Sequence, residues 1–184
     1  MAEYYLMSQL PSLDGIDENS PPPITEERFL ELCERFLGKK AKNEIEALTI
    51  APPKTPIKST STLINSWNAG ESELRLALAK VRAEKMKKSF DTENEPLNSE
   101  LLKVAKTAVE IESPLEAEKF LSRHRLSFLE TLRPMDSFSE DFIYYYGLKL
   151  KLILRINRFD TEIGKGAYKN IYNTVLNGDR LEAI

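Results

Sequence analysis

Cysteine and histidine are almost absent from this chain. Cys33 is the single cysteine and His124 the single histidine among 184 residues. One cysteine forbids an internal disulfide, and a chain built without disulfides suits a reducing compartment. One histidine and one cysteine cannot furnish a multi-histidine or Cys/His metal site. No window approaches the roughly 18 consecutive apolar residues of a membrane span. The opening "MAEYYLMSQLPSLDG" has no basic leader region and a short apolar run cut by Pro11, so no secretory leader is expected. Neither charge sign prevails: the net charge is −3, which exerts no general pull toward nucleic acid or anionic membrane. The expected setting is cytoplasmic.

What remains is an ordinary globular composition, 41% hydrophobic and 30% charged, long enough for one domain with an appendage. Proline divides the chain. Residues 1–24 form an N-terminal arm and linker, in which "YYLM" at 4–7 reads equally as a short strand or the start of a helix. Residues 25–49 hold short helices. Thr25 caps the first, Glu26 and Glu27 suit its dipole, Phe29, Leu32, Cys33 and Phe36 form its stripe, and Gly38 ends it. A second piece is expected near 43–48. Residues 50–62 are a proline-rich linker, and 63–184 a helical core that forms one domain with 25–49.

Within that core, Leu74, Ala77, Leu78 and Val81 repeat at helical spacing, with Gly70 as a candidate interruption. Asn98 or Ser99 caps a helix presenting Leu101, Ala105, Ala108 and Glu112 on one face. Ser113-Pro114 restarts the chain as a helix that Pro134 stops. A long helix follows at 139–162, "GKG" at 164–166 breaks it, and a last helix spans about 167–177. Strand alternation is missing, so the fold class is all-α.

The stretch "YYYGLKLKLILRINRFD", 144–160, carries four cations that helical geometry separates. Lys151, Arg155 and Arg158 share one side, with Glu162 continuing the row. They read as an outward face suited to a partner protein; no aromatic platform or glycine-rich RNA motif accompanies them. Lys149 falls instead among Tyr145, Tyr146, Leu152 and Ile153. An ammonium there must snorkel, lose its proton or meet a carboxylate. Glu112, also on an apolar face, is the expected partner in a buried ion pair. "EIGKGAYKN", 162–170, lacks both the preceding strand and the Lys-Ser/Thr of a phosphate loop. Cys33 lies on an apolar stripe, as inert buried thiols do, and His124 reads as a core-edge histidine. Trp67 reads as a packing residue rather than an interface anchor. No catalytic residue, metal or cofactor is expected.

Three segments together resemble a known family: "EYYLMSQLPSL" at 3–13, "LRLALAKVRAEKM" at 74–86, and "SPLEAEKFLSRHRLSFLETL…FIYYYGLKLKLILRINRFDTEIGKGAYKNI" at 113–171. They are similar, in the same order, to a small bacterial family of unknown function whose genes lie in V-type (A/V-type) ATP synthase operons. The late part also resembles, distantly, a helical module of the central-axis C subunit, the d subunit of eukaryotic V-ATPases. That subunit is longer and joins the rotating shaft to the membrane rotor ring, so this chain would supply only part of such a funnel. The resemblance implies a non-catalytic subunit, or a transient assembly or regulatory factor, peripherally bound to the membrane through the ATPase. Tyr4 and Tyr5 would then be docking residues, and Lys151, Arg155 and Arg158 a partner contact.

Overall fold

The computed structural model describes residues 2–16, 21–51, 59–90, 97–158 and 161–178, with side chains in the last segment described for 164–174. The described residues form eight helices and no strand: α1 (Ala2–Gln9), α2 (Glu26–Leu37), α3 (Lys39–Ala47), α4 (Thr62–Lys85), α5 (Ser99–Glu110), α6 (Pro114–Thr131), α7 (Glu140–Asn157) and α8 (Thr161–Gly178). The fold is all-α. Most of the linker around 52–58 lies outside the described residues.

Short polar side chains start five of these helices. Thr25, Ser61, Asn98, Ser113 and Ser139 each accept a hydrogen bond from a first-turn N–H. Of the two caps expected for α5, Asn98 is the one used. Of the two readings of 4–7, the helix is adopted in place of an extended or short-strand arm: the stretch lies inside α1, which sinks Leu6 into the core. The helix expected at 139–162 ends at Asn157, and α8 runs through Gly164 and Gly166 without breaking.

Helix α7 is the axis of the molecule. Phe142 through Leu150 are buried without interruption, as only a helix apolar on every side can be. It packs against α1, α2, α4 and α6. Gly147 admits α2 closely: a Cβ there would meet the Phe29 ring at 3.2 Å. Around it gather Leu6, Leu13, Phe29, Cys33, Ile45, Leu63, Trp67 and Leu129. A smaller core sits apart, where Leu74, Ala77, Leu78 and Val81 of α4 meet Ala105 and Ala108 of α5 and Leu121 of α6. Helix α4, about 36 Å long at ~1.5 Å per residue, joins the two.

Gly70 lies at the junction and does not interrupt α4. A Cβ there would come within 2.4 Å of the Phe128 ring, which stacks on buried Trp67. The glycine is a close-contact site. Gly70→Ala is expected to destabilise by a net of about 1–2 kcal/mol in urea unfolding, because overpacking costs more than the ~1 kcal/mol gained in helix propensity. Adding Phe128→Leu should restore most of the loss; stabilisation by Gly70→Ala alone would contradict the close packing.

Candidate interaction surfaces

Lys149 is 7% exposed, and its ammonium does find carboxylates, but not Glu112. Helix α5 ends at Glu110, so Glu112 leaves the buried face and is exposed. Lys149 Nζ instead lies 2.7 Å from Asp14 Oδ1 and 2.7 Å from Glu130 Oε1. It also donates to the Tyr145 hydroxyl at 3.3 Å and lies over that ring. Arg133 closes the group, 3.7 Å from Asp14 and over the rings of Phe142 and Tyr145. One cation of α7 thus ties the loop after α1 to the end of α6. The Tyr146 hydroxyl adds a bond to the carbonyl of Pro11 at 2.9 Å.

The electrostatics follow from this geometry. The Lys149 hydrogen bond holds Asp14 below the usual carboxylate range, helped by the charges of Lys149 and Arg133 against its partial burial. Burial opposes ionisation of Glu130, but hydrogen bonds from Lys149 and Tyr145 outweigh it and lower its pKa. Burial opposes the charge on Lys149 too, yet its bonds to Asp14 and Glu130 win and raise its pKa.

The row Lys151, Arg155, Arg158 is not one free face. Lys151 turns inward and donates to the carbonyls of Ile45, Glu46 and Leu48. It closes the C-terminal end of α3, where orphan carbonyls and the helix dipole favour a cation, and lies 3.5 Å from Glu26. Arg155 pairs with Glu118 of α6. Only Arg158 of the three is exposed. The periodicity grouped them correctly on one side, but neighbouring helices supply partners that local spacing does not reveal.

A second buried ion pair carries no signal in the apolar stripes. Glu71, 2% exposed, accepts from Arg125 Nε and Nη2, each at 2.9 Å, and from Arg75 Nε at 3.1 Å. Arg125 Nη1 faces Glu118 at 3.7 Å, which links the pair to Arg155. The chain of charges joins α4, α6 and α7. Beside it opens a cleft of about 200 Å³, lined by Glu71, Leu74, Asn98, Leu101, His124 and Phe128. Burial and the charge of Arg125 lower the pKa of His124, keeping the ring neutral at pH 7. Cys33 does not line this cleft. It is fully buried in the α7 core, where desolvation pushes its thiol up to about 12.

Tyr4 and Tyr5 lie on α1. Both rings are about half exposed on α1, while Leu6 anchors the helix beneath them. Tyr4 packs on half-exposed Phe138 at 5.0 Å between centroids, so the α6–α7 turn extends the patch. Beside it a groove of about 300 Å³ runs between α1, α3 and the start of α7, lined by Glu3, Phe36, Lys40, Glu44, Glu140 and Tyr144. Among the described residues no helix is long and apolar enough to cross a membrane, and no group of His, Cys, Asp and Glu could hold a metal ion. No family model, curated protein or solved structure matches the chain.

Two outcomes are expected. The depressed Asp14 and Glu130 contribute stability present above about pH 4 and lost as pH falls through their folded values, whereas the raised Lys149 releases its share only as pH rises through its own. Denaturant midpoints should therefore hold steady from about pH 5 to 9 and drop below pH 4, with a smaller acid drop in Lys149→Met. Arg125→Met should cost about 3 kcal/mol by stranding Glu71, with Arg75 limiting the loss. Glu71→Leu with Arg125→Met should recover most of it; a double-variant loss equal to the sum of the two single losses would show that the pair is not coupled.

Proposed function

We propose that this chain is a non-catalytic subunit or accessory protein of a bacterial V-type rotary ATPase, working by presenting rigid docking surfaces to other subunits. One observation carries the reading. An aromatic patch of Tyr4, Tyr5 and Phe138 stands in solvent on a helical frame anchored by buried Leu6. Exposed aromatic clusters on fixed elements are what interface anchors require, because little conformational entropy is lost when they are covered. The adjoining groove gives a partner side chain somewhere to enter. Which machine this partner belongs to rests on the resemblance of the three segments described above. A connector between the central shaft and the membrane rotor ring is the role that resemblance implies. A transient assembly or regulatory factor would use the same surface and differs only in residence on the complex.

Affinity purification of the tagged protein from native membranes, with quantitative mass spectrometry, separates these. A subunit is recovered with the whole ATPase at a fixed, near-integral ratio, and an assembly factor below it. Recovery of intact ATPase elsewhere in the extract with none on the tagged protein would end the reading. Tyr4→Ser with Tyr5→Ser should cut recovery at least about tenfold, as loss of hot-spot aromatics does, while leaving helicity unchanged.

A further inference from the structure

The cleft between α4, α5 and α6 lies where the two cores meet. Leu74 in its wall belongs to the smaller core, and Phe128 packs against the larger one. Gly70 shapes it. With no side chain at that point of α4, the Phe128 ring lies close against the helix, where it lines the cleft and stacks on Trp67 with centroids 6.0 Å apart. Leu101 of α5 completes an apolar lining. The space is about 200 Å³. An apolar cavity of roughly 150 Å³ takes up benzene, so one aromatic ring with a short substituent fits here. Apolar clefts between helices, with a few polar groups at hand, are a usual form of small-molecule site.

Charge sorts the ligands that this cleft admits. The carboxylates of Glu71, Glu73 and Glu100 line it, against the single cation Arg125. Arg125 is committed: it donates twice to Glu71, and its remaining nitrogen Nη1 faces Glu118. Glu71 is balanced by that pair and by Arg75. Glu73 and Glu100 are exposed, and neither meets a cation at ion-pair distance among the described residues. The unbalanced charge is therefore negative, and an anion entering the cleft finds no uncommitted cation to offset its lost hydration. Burial and the charge of Arg125 keep His124 neutral, so its ring offers an accepting nitrogen and no competing positive charge.

We propose that this cleft binds a small arylalkyl ammonium, with its ring against Leu74, Leu101 and Phe128 and its charge toward Glu73, Glu100 and His124. The ring displaces water from apolar surface, while the ammonium stays at the exposed carboxylates and keeps much of its hydration. Such a ligand bridges three helices at the junction of the two cores. The cleft shares no lining residue with the groove beside α1, so its occupancy is independent of the docking role proposed for that surface.

Trp67 is the single tryptophan of the chain, and its stacking on Phe128 makes its fluorescence a reporter of the cleft. Titrating the full chain with 2-phenylethylammonium at neutral pH should give a saturable change with a Kd of about 0.1–1 mM, the range open to a ligand of this size. The anion 3-phenylpropionate, of similar shape, should bind at least about tenfold more weakly, and neutral 2-phenylethanol about threefold. Amide shifts in the NMR spectrum should change at 70–74, 98–101 and 124–128. Glu73→Gln with Glu100→Gln, both at exposed positions, should bring the three ligands within about twofold of one another without abolishing binding. Leu101→Phe, which fills the cleft, should weaken all three at least about tenfold. If that variant does not fold, the glutamine variant and the shift map decide. Absence of saturable binding overturns the proposal, as does equal or tighter binding of the anion. So does a preference for the ammonium that survives in the glutamine variant, or a shift map centred elsewhere.

Discussion

Burial of α7 on every side from Phe142 to Leu150 is the constraint from which the rest follows. A helix surrounded on every side gains more from the hydrophobic effect than an amphipathic one, but it leaves no wet side on which to place charge. Lys149 sits inside that enclosed stretch, so its ammonium must be met by carboxylates. The two that meet it are Asp14, on the loop after α1, and Glu130, at the end of α6. Both remain partly exposed, with side-chain accessibilities of 57% and 42%, so the charge is drawn toward the surface rather than entombed. The arrangement resembles snorkelling with fixed partners. Its structural effect is to tie the loop after α1 to α7 and the end of α6.

The other cations of the same helix follow the same logic in weaker form. Lys151 closes the end of α3, and Arg155 joins Glu118 and, through it, Arg125 and Glu71. Charges that would otherwise form an interaction face work as connectors between helices. Buried pairs such as Glu71–Arg125 add little net stability over an apolar filling, but they penalise any packing that separates the partners. They therefore fix how α4 and α6 meet at the junction of the two cores, next to the close contact of Gly70 with Phe128.

Two exposed aromatic surfaces stand out on the described residues, one on α1 and one on α8. The α1 patch and α8 differ in kind. The first lies on a helix anchored through buried Leu6. The second is a glycine-bearing helix whose residues 164–174 are all exposed.

The sequence by itself determined the all-α class, where α2, α5, α6 and α7 begin, and which residues lie on the central stripe. Capping side chains, proline at the first turn and apolar spacing act over a few residues, so a local reading captures them. It also isolated Lys149 as an internal cation and grouped Lys151, Arg155 and Arg158 on one side. The tertiary structure alone decided their partners: Asp14 and Glu130 in place of Glu112, the α3 carbonyls for Lys151, Glu118 for Arg155. It alone revealed Glu71 with Arg125, and turned Gly70 from a break into a contact. Those outcomes depend on which helix faces lie opposite each other across distant stretches of chain. Electrostatic and steric complementarity at such contacts acts through space over a few ångströms, and the order of residues along the chain does not encode it locally.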